Sequence, residues 1–243
     1  MTKKLQIALL GYGKMGKIIE SVCLERGHEI ACIIDNERDW TQKESELKNC
    51  DIAIDFSIPE MAFANMKRCF ELKIPVVVGT TGWYNQKNEV TELCKKNDAA
   101  LFHAPNFSLG MNIVFRLNRQ LGKMMNGTSY RLSMNEIHHI HKLDAPSGTA
   151  IQLANDLVDS VDCLKKWEID SEAATDTLPI IVSRVGEVNG THEVIADSEE
   201  DIISLKHEAK SRRGFGLGAV LAAEFLYGKK GIYTMDDLLD QHY

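Results

Sequence analysis

The chain of 243 residues lacks the cysteine spacing of a metal ribbon or a redox motif. Its six cysteines stand at 23, 32, 50, 69, 94 and 163, none closer than nine residues, and no C-x-x-C occurs. A zinc ribbon and a thioredoxin-like motif are therefore not indicated, and Cys23, Cys32 and Cys69, set among apolar neighbours, read as reduced core residues. Positive charge is also short, with a formal net charge of −7. That balance argues against general binding to nucleic acid or a membrane surface, although a local cationic cluster can still hold a small anion. No apolar run is long enough for a signal-peptide core or a membrane span. The run at 5–10 reads instead as a first buried strand, and a cytoplasmic protein is expected. No internal repeat or low-complexity tract is evident. Apolar residues at 44% and charged residues at 26% are ordinary for a globular protein with a core of one large or two modest domains.

The first hundred residues alternate strand-like and helix-like segments. Strands are expected at 5–10, 29–35, 51–57, 75–81 and 99–104. Helices are expected at 14–26, where Met15, Ile18, Ile19, Val22 and Cys23 have helical spacing, at 59–72 and at 85–97. Near-continuous apolar strands in repeated βα units indicate a parallel sheet covered on both faces. After Pro105 the pattern changes. A long helix is expected at 109–125, a strand at 130–137, a helix at 149–161, strands at 180–185, 191–196 and 201–207, and a helix at 214–226. Residues 168–176 read as an acidic loop. The reading is α/β: a Rossmann-type doubly wound parallel sheet in a dinucleotide-binding domain, 1–107, to which 213–243 return, and a second α+β domain at 108–212 for substrate binding and oligomerisation.

Gly11-Tyr12-Gly13-Lys14-Met15-Gly16 is a G-x-G-x-x-G match between an expected strand and an expected helix, and Asp35 follows nineteen residues later at the end of the second strand. The context makes the motif meaningful. Gly11 permits the tight turn, Gly13 lets a pyrophosphate approach the backbone, and Gly16 permits close helix-to-strand packing. The helix N-terminus attracts the pyrophosphate, and Asp35 accepts hydrogen bonds from a ribose hydroxyl. A carboxylate there suits NADH and repels an added 2′-phosphate. Asn36 follows it rather than Arg, while Lys14 and Arg38 offer some screening, so NADH is expected to serve at least as well as NADPH. Gly79-Thr80-Thr81-Gly82 and Ala104-Pro105-Asn106-Phe107 end the fourth and fifth strands, where open α/β sheets bind ligands.

In Glu136-Ile-His-His-Ile-His-Lys-Leu-Asp-Ala-Pro-Ser-Gly-Thr-Ala150, three histidines and a lysine fall within five residues. Histidine exchanges protons near neutral pH, and lysine is a fixed cation with three donors. His138, His139 and His141 are too crowded to share one metal without a helix to present them, so no metal site is expected. Pro146 fits a helix boundary. Ser147 is the expected N-cap, with Gly148 and Thr149 in a first turn whose N–H groups can bind a carboxylate. Glu136 and Asp144 are available to orient a histidine or offset Lys142, with neither role assigned.

These motifs resemble the signature of the 4-hydroxy-tetrahydrodipicolinate reductase (dihydrodipicolinate reductase) family. The resemblance covers nearly the whole chain and includes Gly11 to Gly16, Asp55-Phe-Ser57, Gly79 to Gly82, Asn106-Phe-Ser-x-Gly110, and Ser211-Arg212 with Phe215. It implies a two-domain homotetramer of the lysine and diaminopimelate pathway. Such enzymes reduce a small, cyclic, imine-conjugated dicarboxylate to tetrahydrodipicolinate with NADH or NADPH and release water. By resemblance, His138 is the proton donor and Lys142 its catalytic partner, His139 contacts substrate, and Gly148 with Thr149 binds one carboxylate. Gly11 to Gly16, Asp35, Gly79 to Thr81 and Ala104 to Phe107 match the dinucleotide contacts. The glycine loop is one residue shorter than the G-x-x-G-x-x-G of many members, and the basic residue that often follows the ribose acid is absent. Two other readings stay open at this level. One is a different NAD(P)-dependent reductase of a small amino or keto dicarboxylate, and the other is a catalytically silent dinucleotide sensor.

Overall fold

The structure is a computed structural model that describes residues 3–170 and 175–242. In chain order it runs β1 (Gln6–Leu10), α1 (Lys14–Glu25), β2 (Glu29–Ile34), α2 (Glu37–Gln42), α3 (Glu44–Leu47), β3 (Ile52–Asp55), α4 (Pro59–Glu71), β4 (Val76–Val78), α5 (Lys87–Lys96) and β5 (Ala100–His103). It continues with α6 (Leu109–Met125), β6 (Arg131–His138), α7 (Gly148–Ser160), β7 (Lys166–Ile169), β8 (Thr177–Arg184), β9 (Thr191–Asp197) and β10 (Ile202–Glu208), then α8 (Arg213–Leu226), β11 (Gly231–Tyr233) and α9 (Met235–His242). Two compact units result: Met1–Leu109 with Arg212–Tyr243, and Gly110–Ser211.

The first unit is built on a six-stranded parallel sheet of order β11-β5-β4-β3-β1-β2. Alternate residues of the strands go to opposite faces, and both faces are buried. Ile7, Leu9, Ile54 and Phe102 pack with Val22 of α1 and Val220 and Ala223 of α8. Ala8, Leu10, Val76 and Val78 pack with Leu47 of α3, Met66 of α4 and Val90 of α5. A strand with no solvated face has no polar alternation, which is why these runs read as continuously apolar. The strand order reverses at β1, between β2 and β3, and opens the ligand crevice of doubly wound sheets at its carboxyl end.

The second unit is a five-stranded mixed sheet, β10-β9-β6-β8-β7, in which β6 pairs parallel with β8 and antiparallel with β9. Met134, Ile180 and Val194 point to one face, where Met111 and Phe115 of α6 and Leu153 and Leu157 of α7 cover them.

Three local features differ from the sequence expectation. Residues 36–47 hold two short helices. Asn36 caps α2 by accepting the Arg38 and Asp39 amides, and the Asp39 carboxylate returns a bond to the Asn36 amide. This capping box fixes the turn just after Asp35. Part of the expected loop at 168–176 belongs to β7, whose Trp167 Nε1 donates to Asn155 Oδ1 at 2.9 Å; residues 171–174 of that expectation lie outside the described residues. Finally, β11 extends the parallel sheet beside β5 and α9 follows it.

Candidate functional site

In the first unit, Gly11 follows β1 at φ +86°, and a Cβ there would lie 2.7 Å from the Phe56 carbonyl oxygen, so only glycine fits this turn. The chain then enters α1 with Gly13 as N-cap, with no side chain capping the helix and no acidic residue in its first turn. Lys14, Met15 and Gly16 form that turn, with Gly16 buried against the Gly11 carbonyl. The amide ends of a helix left this way attract an anion. Asp35 is exposed at the end of β2, and its Oδ1 accepts the Tyr12 amide at 2.7 Å, so the carboxylate is tied to the glycine loop. Gly11, Tyr12, Gly13, Asp35 and Asn36 line one cavity of about 380 Å³ together with Trp40, Phe56, Ser57 and Met61. An anion seat, a ribose-side acid and apolar walls fit a dinucleotide.

The other expected cofactor residues lie at neighbouring strand ends rather than in that cavity. Gly79, Thr80 and Thr81 follow β4, and Ala104 to Phe107 follow β5. Asp55, fully buried at the end of β3, organises the first group. It accepts the Ser57 amide at 2.9 Å, the Asn65 amide group at 3.0 Å and the Thr80 hydroxyl at 2.8 Å. Burial raises its pKa against the pull of these donors. Asn106 Oδ1 accepts the Ser108 amide at 2.9 Å, a local turn leading toward α6. His103 is buried edge-on to Trp83, and burial lowers its pKa to about 4.

In the second unit, Glu136 and His138 are two residues apart on β6 and therefore share the helix-covered face with Met134. His138 Nδ1 lies 3.0 Å from Glu136 Oε1, so the carboxylate accepts the Nδ1 proton and Nε2 is the nitrogen left for chemistry. Gly190 stands beside that nitrogen; a Cβ there would come within 2.9 Å of Nε2. Glu136 Oε2 accepts the Ser147 amide at 2.7 Å, and Ser147 Oγ in turn accepts Ala150 N–H and caps α7. One fully buried carboxylate thus joins the histidine to the start of α7, where Gly148 and Thr149 form the first turn. Burial alone would raise the Glu136 pKa, but the bonds from His138 and Ser147 outweigh it and hold the carboxyl at about 2.

Lys142 sits on the loop after β6, with Nζ 2.7 and 2.9 Å from the two Asp144 oxygens. His139 is half-buried and its carbonyl accepts the Lys142 amide, closing a turn. His141 is exposed and paired with Glu187 at 3.4 Å, away from the Glu136 cluster. Two further residues join the site without having been singled out in the sequence. Arg184, opposite His138 in the β6–β8 register, has Nη1 3.1 Å from Glu136 Oε1. His192, opposite Glu136 in the β6–β9 register, meets the His138 ring at 5.1 Å between centroids and places Nε2 3.1 Å from Ser147 Oγ. Burial, with the neighbouring His138, lowers the His192 pKa to about 4, so it is a neutral acceptor at neutral pH. Ser147, expected as the N-cap, also joins the site through its backbone amide on Glu136. Glu136, His138 and His192 come within metal-ligand reach of one another, but the Arg184 guanidinium already supplies positive charge to the same Glu136 oxygen. The arrangement is suited to moving a proton beside an anion.

Fold and site together fit the class of NAD(P)-dependent oxidoreductases. The family description "Dihydrodipicolinate reductase, N-terminus" matches residues 5–107, and "Dihydrodipicolinate reductase, C-terminus" matches 110–239. The chain is 48% identical over 236 residues to 4-hydroxy-tetrahydrodipicolinate reductase of Christiangramia forsetii, covering 97% of this chain and 98% of the relative. It is 31% identical over 240 residues to the enzyme of the same name from Caldanaerobacter subterraneus subsp. tengcongensis, covering 93% and 94%. In structure it resembles a dipicolinate-bound dihydrodipicolinate reductase from Paenisporosarcina sp. TG-14, with a TM-score of 0.79 at 20% identity over 96% of this chain and 98% of the other, a likeness of fold. The chain belongs to the dihydrodipicolinate reductase family. Among the described residues no helix is long and apolar enough to cross a membrane.

Proposed function

We propose that this chain reduces 4-hydroxy-tetrahydrodipicolinate to tetrahydrodipicolinate, with release of water, and uses NADH at least as well as NADPH. The observation that carries the reading is the buried Glu136 carboxylate, which bonds both the His138 imidazole and the start of α7. A bound nicotinamide supplies hydride. The chain's own residues do the rest. Gly11 to Gly16 and Asp35 hold the dinucleotide, with Gly79 to Thr81 and Ala104 to Phe107 at the adjoining strand ends. The first turn of α7, Gly148 and Thr149, seats one substrate carboxylate, and His139 contacts the ring. Loss of the hydroxyl as water leaves a conjugated C=N, and addition of hydride gives an enamine-like anion that must gain a proton at carbon. His138 Nε2–H supplies it. A positioned acid is worth about 10²–10⁴-fold in rate. Glu136 stabilises the imidazolium before transfer, and Lys142, released from Asp144, stabilises the developing negative charge.

The coenzyme reading rests on Asp35 and on Asn36, whose side chain is committed to capping α2. The second-unit sheet turns a face bearing Ile137, Ile181 and Ile195 away from its helices, and Ile181 is 51% exposed. An exposed apolar face of this kind supports the reading of a homotetramer in which copies would cover it, which light scattering at four chain masses checks. The six cysteines are free thiols, in keeping with a cytoplasmic setting. The test of the reading is coenzyme oxidation with the freshly made product of the upstream synthase, comparing kcat/KM for NADH and NADPH. Turnover with NADH equal or superior supports it. No turnover contradicts the function, and a large NADPH preference contradicts the coenzyme assignment.

A further inference from the structure

Arg184 ends β8, and its guanidinium meets four partners on three pieces of chain. Nη1 donates to the Ser183 carbonyl at 3.0 Å and lies 3.1 Å from Glu136 Oε1. Nε donates to the Lys142 carbonyl at 3.3 Å, and Nη2 to the Asp144 carbonyl at 2.5 Å. The loop it grips has little else to hold it. Leu143 is 98% exposed and Ile140 59%, so apolar packing contributes almost nothing there. Backbone bonds beside it run from Ile140 N–H to the Gly186 carbonyl at 3.1 Å and, at the root of the loop, from Val185 N–H to the His138 carbonyl at 2.7 Å.

We propose that Arg184 is the positioning residue for both catalytic groups, the proton donor His138 and the charge-stabilising Lys142, and this rests on the functional reading above. Through Glu136 it fixes the ring of His138. Through the carbonyls of Lys142 and Asp144 it fixes the backbone from which the Lys142 side chain reaches the substrate. The planar fork is the essential property. Five N–H donors in a fixed plane span carbonyls several ångströms apart, which the single ammonium of lysine cannot do. A simpler role, that of a counter-charge to buried Glu136, would be met by lysine as well.

Three variants of the full-length enzyme separate these roles: Arg184→Lys, Arg184→Gln and Arg184→Ala. If the fork positions the loop, Arg184→Lys loses roughly tenfold or more in kcat and Arg184→Ala about 10²-fold, the scale of a displacement of about 1 Å at a reacting group. NADH affinity, read by fluorescence titration, stays within about twofold of the parent because the coenzyme residues lie in the first unit. Millimolar methylguanidinium restores part of the Arg184→Ala kcat, and methylammonium does not. Hydrogen exchange gives a readout independent of turnover. Peptides covering 139–146 exchange faster in both Arg184→Lys and Arg184→Gln, while those covering α7 beyond its first turn do not. Parental kcat with unchanged loop exchange in Arg184→Lys overturns the proposal, as does absence of guanidinium rescue in an Arg184→Ala protein that still binds NADH. An inactive parent whose loop exchange still responds to Arg184→Lys contradicts the assigned reaction and leaves the loop clamp supported.

Discussion

Replacing Glu136 by glutamine keeps the shape of the side chain and removes one charge at the most connected point of the site. Its Oε1 lies 3.0 Å from His138 Nδ1 and 3.1 Å from Arg184 Nη1, and its Oε2 is 2.7 Å from the Ser147 amide. Opposite charges 3.0 Å apart attract by about 5.5 kcal/mol at an effective dielectric of about 20. Arg184 already neutralises part of that field, so about half is expected to act on the proton of His138. About 3 kcal/mol is roughly 10²-fold in rate at about 1.4 kcal/mol per decade, inside the range for loss of a positioned acid. The variant also leaves the Arg184 charge without its partner, for which breaking a buried pair typically costs about 3–5 kcal/mol of stability. The assay is steady-state NADH oxidation across pH, with NADH affinity and thermal unfolding measured on the same samples. We expect kcat to fall roughly 10²-fold at neutral pH and NADH affinity to hold. Glu136→Asp, which keeps the charge but withdraws it by one methylene, should fall between. A Glu136→Gln kcat within about threefold of the parent would falsify the claim that this carboxylate governs the proton donor.

Three other outcomes follow from the same geometry. Thr149→Val should raise the substrate KM with kcat little changed, since a carboxylate seat acts on ground and transition states alike; a pure kcat effect contradicts the assignment. Lys142→Ala should lower kcat by orders of magnitude with NADH affinity intact, whereas Asp144→Asn, which only unties Lys142, should cost far less. Stability should fall on acidification between about 6.5 and about 4, because His192 and His103 have pKa values lowered to about 4 from the ordinary 6.5. In that window the unfolded chain binds more protons than the folded one, so stability rises with pH, by up to about 3 kcal/mol per histidine. Urea unfolding at about pH 7 and about pH 4.5 measures it, and His192→Phe should remove one share of the slope; equal stability at the two pH values contradicts the buried neutral imidazoles.

The parallel sheet was legible because strands buried on both faces leave unbroken apolar runs, and because Gly11 to Gly16 and Asp35 stand at fixed distances around the first βα turn. The short helices near Asn36 escaped notice for lack of an apolar period; their start is set by a capping box that only local hydrogen bonding reveals. In the second unit Ser147 read correctly as an N-cap. The pairing of Glu136 with His138 was within reach, since residues two apart on a strand share a face, but Asp144 competed for the role until the structure tied it to Lys142. Arg184 and His192 carried no local signal. They reach the site only through the register of β8 and β9 against β6, forty and more residues distant in sequence, which no short-range pattern encodes.

The central claim is that His138 delivers the proton that completes reduction of a cyclic dicarboxylate. The direct measurement is NADH oxidation with the freshly made hydroxy-tetrahydrodipicolinate substrate by the parent and by His138→Gln, with NADH affinity determined for both. The account predicts rapid turnover by the parent, a kcat lower by about 10²–10⁴-fold in the variant, and equal NADH affinity. Near-equal turnover by the two proteins contradicts it.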